Sequence, residues 1–127
     1  LRISDNVVFI GTVSDVRKYY QMADLFTLTS GWGETFSVAA IEAMAMGLPC
    51  VLTNIGGASE MIEENKNGYL VPAIDPEKIA LGWKKGLALS KKISRDEIAE
   101  IVRKRFSLQE CVQKYQGVFG SIKHDVY

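Results

Sequence analysis

The sequence predicts an α/β domain, a parallel β-sheet covered by helices. Three observations carry this reading. Short apolar runs rich in β-formers alternate with segments of helical periodicity through the first two thirds of the chain. The connections between the runs are too long for hairpins and helical in pattern, as parallel pairing requires. The turns after the runs carry glycine or small polar residues, at the strand ends where open α/β sheets bind ligands.

Each element has a local reason. Residues 7–11 (VVFIG) form a short apolar run ending in glycine, read as a buried strand. Ser14 and Asp15 are candidate helix caps ahead of Val16, Tyr20 and Ala23 at helical spacing. Residues 25–29 (LFTLT) are a second strand, followed by a turn over 30–33. Residues 36–46 are rich in helix formers, and Gly47 and Pro49 stop that helix. Residues 50–53 (CVLT) are a third strand, 54–57 (NIGG) a turn and 59–64 a short helix. The NKNG turn over 65–68 leads into a fourth strand at 69–71.

The remainder reads as helix only. Asp75 is an N-cap with Pro76 at the first helical position, and Ile79, Trp83 and Leu87 line one face, with Trp83 expected in the core. Ser94 with Glu97, and Ser107 with Glu110, are capping-box patterns. They precede Ile98, Ile101 and Val102, and then Cys111, Tyr115, Phe119 and Ile122.

The totals exclude several classes. The 127 residues suit one domain with a real core. Fifteen basic and fifteen acidic side chains balance, so no nucleic-acid partner is expected. Two cysteines cannot make a disulfide framework; both are expected as reduced, buried thiols, which suits the cytoplasm. No signal peptide or membrane-length apolar run is present. The chain lacks an initiator Met and opens almost directly into an apolar run, which reads as a piece of a longer protein.

The chemistry concentrates in residues 31–47 (GWGETFSVAAIEAMAMG), where Glu34 and Glu42 stand eight positions apart. A strand, a glycine turn and a helix N-terminus favour an anion, because unpaired N–H groups and the helix dipole face outward there. Carboxylates repel phosphate but accept hydrogen bonds from vicinal hydroxyls. Phosphate on one side and hydroxyls on the other describe a sugar nucleotide. Gly31, Gly33 and Ser37 are small enough for close approach to the backbone, and the amides of Thr35, Phe36 and Ser37 are expected in the opening turn. Structure alone explains Glu34 passably, as a carboxylate favoured by the dipole. Glu42 lies among apolar residues 38–46, where a buried, unpaired charge would cost several kcal/mol, so a polar partner such as a ribose is expected.

Residues 34–72 (ETFSVAAIEAMAMGLPCVLTNIGGASEMIEENKNGYLVP) resemble the signature region of retaining GT-B glycosyltransferases, the group 1 or family 4 enzymes. The matching elements are Glu-x7-Glu, Ala-Met-Ala, Gly-x-Pro, a Gly-Gly turn and Asn-Gly before a strand. The likeness extends upstream through 7–30 and downstream into the Asp75-Pro76 helix. It implies a Rossmann-like sheet flanked by helices, the C-terminal half of a GT-B fold with a helical tail. The whole of 1–127 would be one truncated nucleotide-sugar-binding domain, without the N-terminal acceptor domain.

The resemblance implies roles. Glu34 is the catalytic candidate, holding donor-sugar hydroxyls near the reacting carbon. Gly33, Thr35, Phe36 and Ser37 would meet the sugar and diphosphate, Val38 the nucleoside, and Glu42 the ribose. Val13 would border the base, with Asp15 and Lys18 as weaker side-chain candidates. The family often has Gly where Ser37 stands, and the upstream Arg and Lys that neutralise the leaving group have no counterpart in the sequence. The implied partners are a nucleoside-diphosphate sugar, UDP ahead of GDP, the N-terminal domain, and a glycan or lipid-linked acceptor of polysaccharide or lipopolysaccharide synthesis. The implied location is the cytoplasm, with peripheral contact at the inner membrane face as an option for the intact protein. Transfer with retention is implied, and this chain alone would be inactive.

No cofactor is expected. No Asp-x-Asp pattern is present to hold a metal, and His124 has no partners in pattern. No hydrolase elbow appears. A non-catalytic nucleotide-binding module and a sugar-nucleotide epimerase are the alternatives. Fold alone does not separate them, but a carboxylate beside the sugar position favours transfer.

Overall fold

The computed structural model describes residues 3–122. After a 3-10 turn at Ser4–Asn6 come α1 (Arg17–Met22), β1 (Phe26–Leu28), α2 (Val38–Ala45), β2 (Cys50–Thr53), α3 (Ala58–Met61) and β3 (Gly68–Val71). The helices α4 (Pro76–Leu89), α5 (Arg95–Phe106) and α6 (Leu108–Ile122) complete the order. The three strands are parallel in the order β1-β2-β3. Phe26, Cys50 and Gly68 stand in register at one edge, and Leu28, Leu52 and Leu70 near the other.

All four residues of β2 are buried, as expected for a central strand covered on both faces. Cys50 and Leu52 face α2 and join Ala40, Ala43, Met44, Leu48, Met61, Ile98 and Val102 in the main core. A side chain such as Met44 or Ile98, fully buried there, contributes about 1.5–3 kcal/mol. Val51 and Val71 face α4. That helix buries Gly82 and Gly86 with Leu89: a Cβ on Gly82 would lie 2.6 Å from Val71 Cγ1, and one on Gly86 2.5 Å from Leu25 Cδ1. The small face lets α4 settle against the sheet. Trp83, expected in the core, is 42% exposed and donates from its indole N–H to Thr27 Oγ1 at 2.9 Å.

The caps of α4, α5 and α6 follow the sequence, but the expected Ser14 and Asp15 caps do not form: α1 starts from Val16 with no side-chain cap, and Asp15 accepts from Arg17 N–H at 3.0 Å. Asp75 accepts from Lys78 N–H at 2.9 Å, and Ser94 with Glu97 closes a reciprocal capping box. Ser107 accepts from Glu110 N–H at 3.2 Å. Arg95 then ties the helices together. Its guanidinium donates to Tyr20 O at 3.1 Å, to Met46 O at 3.4 Å and to Ala23 O, placing a cation on the carbonyl ends of α1 and α2.

Three further expectations are corrected. Residues 7–11 form no strand, and Val8 and Phe9 are 82% and 94% exposed. An apolar run becomes a buried strand only where a neighbour takes its backbone bonds, and none among the described residues does. The helix expected at 59–64 is the shorter Ala58–Met61, because Asn67 Oδ1 takes the Glu63 N–H at 2.7 Å and turns the chain. Cys50 is buried, and burial pushes its thiol well above the ordinary range, but Cys111 is exposed on the outer side of α6. His124 lies outside the described residues.

Candidate functional site

Gly33 to Val38 lie at the start of α2, at the carboxyl end of the sheet, while Glu42 lies further along the helix and Val13, Asp15 and Lys18 lie at and before α1. The chain leaves β1 at Leu28 and runs irregularly to Ser37, the N-cap. The helix therefore begins at Val38, two residues later than expected, because the Ser37 hydroxyl accepts from Ala40 N–H at 3.2 Å and ends the non-helical approach there. Thr35 and Phe36 precede the helix instead of opening it. The N–H groups of Thr35, Phe36, Ser37, Val38 and Ala39 have no hydrogen-bond partner among the described residues. They form a row of open donors at the positive end of α2.

Glu34 is half-buried and lines a small hollow with Leu28, Ser37, Leu52, Thr53, Ala58 and Met61. Thr53, buried beneath it, donates to Ser30 O at 2.7 Å and fixes the start of the loop. Gly33 is exposed with φ +77°, a conformation that suits glycine. Trp32 beside it is 88% exposed. Phe36 and Val38 are exposed, and Ser37 is buried.

The Gly-Gly turn is the closest neighbour of this loop. Gly57 N–H donates to Thr35 O at 2.6 Å. Gly56, at φ +52°, leaves no room for a side chain: a Cβ would fall 2.3 Å from Glu34 O and 2.6 Å from Thr35 O.

Glu42 lies further along α2 and lines a separate groove with Ser14, Asp15, Val16, Arg17, Tyr20, Ala45 and Met46. It is exposed, so its charge needs no internal partner; Ala40, Ala43 and Met44 on another face carry the burial. That corrects the expectation of a desolvated carboxylate in an apolar helix. Neither Glu34 nor Glu42 has a hydrogen-bond or ion-pair partner among the described residues, so both carboxylates are unengaged, each in its own hollow. Val13 is half-buried and does not line the Glu42 groove, whereas Asp15 does. Lys18 is exposed on α1.

The sequence reading named Asp15 but missed Arg17 and Tyr20 on the far wall of that groove. Arg17 grips Asp15 with Nε at 2.9 Å and Nη2 at 2.8 Å. The Arg17 side-chain hydrogen bonds, followed by its backbone N–H, hold the Asp15 carboxyl down at about 2. Tyr20 donates to Ala39 O at 3.4 Å. Burial first, then the Glu42 carboxylate, raises its phenol above the ordinary value. The signal for this wall was present in the Asp15-x-Arg17 spacing, but only the packing of α1 beside α2 brings it to Glu42.

Against known proteins, the chain matches the glycosyl transferases group 1 family over residues 1–105. It is 30% identical to N-acetyl-alpha-D-glucosaminyl L-malate synthase of Bacillus anthracis over 128 aligned positions, covering 98% of this chain and 33% of that protein. It is 36% identical to the putative colanic acid biosynthesis glycosyltransferase WcaL of Escherichia coli over 71% of this chain and 22% of that one. Among solved structures, HepE of Anabaena in complex with UDP superposes with a TM-score of 0.77 at 25% identity, covering 94% of this chain and 33% of HepE. A glycosyltransferase of Rickettsia africae gives a TM-score of 0.79 at 29% identity, covering 91% and 32%. The chain thus spans between about a fifth and a third of the length of these relatives. Among the described residues no helix is long and apolar enough to cross a membrane. The chain belongs to the glycosyl transferases group 1 family and has the α/β fold of GT-B glycosyltransferases.

Proposed function

We propose that this chain is the C-terminal, donor-binding domain of a retaining glycosyltransferase that takes its sugar from a nucleoside diphosphate, UDP ahead of GDP. The observation that carries the reading is the row of open amides over residues 35–39, with an unengaged carboxylate at each end. Amides at the positive end of α2 suit a diphosphate. Glu34, beside the loop, suits the hydroxyls of the transferred sugar, and Glu42, on the exposed side of the helix, suits a ribose diol. The structure of HepE with UDP, similar over nearly all of this chain, supports the nucleotide class.

In the proposed reaction the bond from the anomeric carbon to the diphosphate oxygen breaks. A bond from the acceptor oxygen forms on the same face. The acceptor proton passes to the departing phosphate. No side chain of the site is placed as a covalent nucleophile. The protein's part is to orient the sugar through Glu34 and to stabilise the leaving charge with fixed N–H donors. The acceptor, of glycan or lipid-linked type in polysaccharide synthesis, would be presented by an N-terminal domain, so the chain alone is inactive in this reading.

Two variants in the intact enzyme test the proposal. Glu34→Ala is expected to lower kcat by about 100- to 1000-fold, the range for losing a group that acts in the transition state. Glu42→Ala is expected to raise the donor KM by about tenfold or more with a smaller change in kcat, as for a lost charged hydrogen bond. Negligible effects from both overturn the assignment. NMR of the first-formed product reads the anomer, and an inverted linkage removes the retaining mechanism.

A further inference from the structure

The loop that carries Glu34 has no regular structure between Leu28 and Val38, so its shape is set by what it packs against. On one side stand Gly56 and Gly57, in backbone contact with Glu34 and Thr35. Against the same turn packs an aromatic pair. The Phe36 ring meets Phe106 edge-on, with centroids 5.8 Å apart and planes at 64°. The same Phe36 ring lies over Gly57, where a Cβ would come within 2.6 Å of its Cδ2.

Phe106 is the last residue of α5, and its neighbour Arg105 anchors that end. Arg105 pairs with Glu63 Oε1 at 3.0 Å and donates to Glu60 O, gripping both sides of the α3 end. The ring is thus held by α5 and by α3 through Arg105. It also packs against the main core, and it meets the donor loop at Phe36.

We propose that Phe106 is a positioning residue for the donor site: it wedges Phe36 against Gly57 and so fixes the Glu34 carboxylate and the open amides of Thr35 to Val38 in register. Phe106 sits far along the chain, in a segment the Glu34–Glu42 pattern does not reach. It acts on the site through the Phe36 ring and the backbone that ring anchors. The ligand named here rests on the proposed function, while the ordering of the loop does not.

Two measurements on the 127-residue chain separate these claims. UDP titration followed by amide shifts reads binding, and 15N relaxation of the free chain reads order in the loop. Phe106→Ala is expected to weaken UDP binding by about threefold to tenfold, the scale of one lost aromatic pair. It is also expected to drop the order parameters of residues 34–37 from about 0.85 toward 0.6. Phe106→Tyr, which keeps the ring, should restore both. Leu89→Ala, buried on α4 on the opposite face of the sheet, should lower the Tm and leave both readouts unchanged. Unchanged order parameters in folded Phe106→Ala overturn the positioning role. So does an equal loss of order in Leu89→Ala. If Phe106→Ala is unfolded, the same two readouts are taken on Phe106→Leu, which should fall between Ala and Tyr; a wild-type value there overturns the role. Wild-type chain that shows no UDP-dependent shift at residues 35–39 overturns the nucleotide reading instead, and the order parameters still decide the wedge.

Discussion

Replacing Asn67 by alanine should cost the domain about 2–4 kcal/mol while leaving donor affinity unchanged, a magnitude that follows from the groups it would orphan. Asn67 is fully buried. Its Oδ1 accepts from Glu63 N–H at 2.7 Å; its Nδ2 donates to Met61 O at 2.9 Å and to Met44 Sδ at 3.4 Å. Alanine removes all three. The sulfur contact is weak and contributes little. The other two losses leave a backbone donor and a backbone acceptor with no other protein partner among the described residues. Each such buried group costs about 1–3 kcal/mol; Glu63 is half-buried and can recruit water, so the lower end applies to it. A small cavity beside Met44 adds to the sum. The assay is urea unfolding of wild type and variant, followed by UDP titration under conditions where both are folded. Asn67 precedes β3, at the opposite end of the sheet from Glu34, so the two measurements should diverge. A change below about 1 kcal/mol would refute the assignment of these hydrogen bonds as structural. A loss of UDP affinity in the folded variant would show that the turn is coupled to the site after all.

Other perturbations have defined directions. Ile74 holds φ +59° and is 79% exposed, a costly backbone for a β-branched residue with little burial to offset it. Ile74→Gly should therefore raise the Tm by about 2–4 °C, after allowing for the extra freedom of glycine in the unfolded chain. The Ile74 side chain lies over Gly31, where a Cβ would fall 3.2 Å from Ile74 Cγ1, and a lower Tm would mean that this packing outweighs the strain. In an NMR pH titration Asp15 should titrate at about 2, held down by the Arg17 hydrogen bonds, and Arg17→Ala should return it toward 3.8. The sign follows from the depressed value: any stabilisation by this pair is present above about pH 4 and is lost as the pH falls toward 2. An unmoved Asp15 in Arg17→Ala would exclude the pair as the cause.

Features that depend on short-range physics were legible in the residues alone. Residues 50–53 form the strand expected, since an apolar run closed by Thr53, between Pro49 and a polar turn, suits a central strand. Asp75, Ser94 and Ser107 cap helices where expected, since a cap needs only a side chain and an N–H three residues on. The Glu34-to-Gly47 motif was also legible, and with it the family. Tertiary structure alone decided which faces are covered. Residues 7–11 have the composition of a strand but no neighbour to pair with among the described residues. Trp83 lies outside the core because α4 turns its glycines to the sheet. Glu42 is exposed because Ala40, Ala43 and Met44 meet the burial demand of α2. Phe106 comes to the Glu34 loop only through the folding of α5 onto α2. Periodicity records that a helix has an apolar face, but burial depends on which surface arrives opposite it, and that is a property of the whole chain.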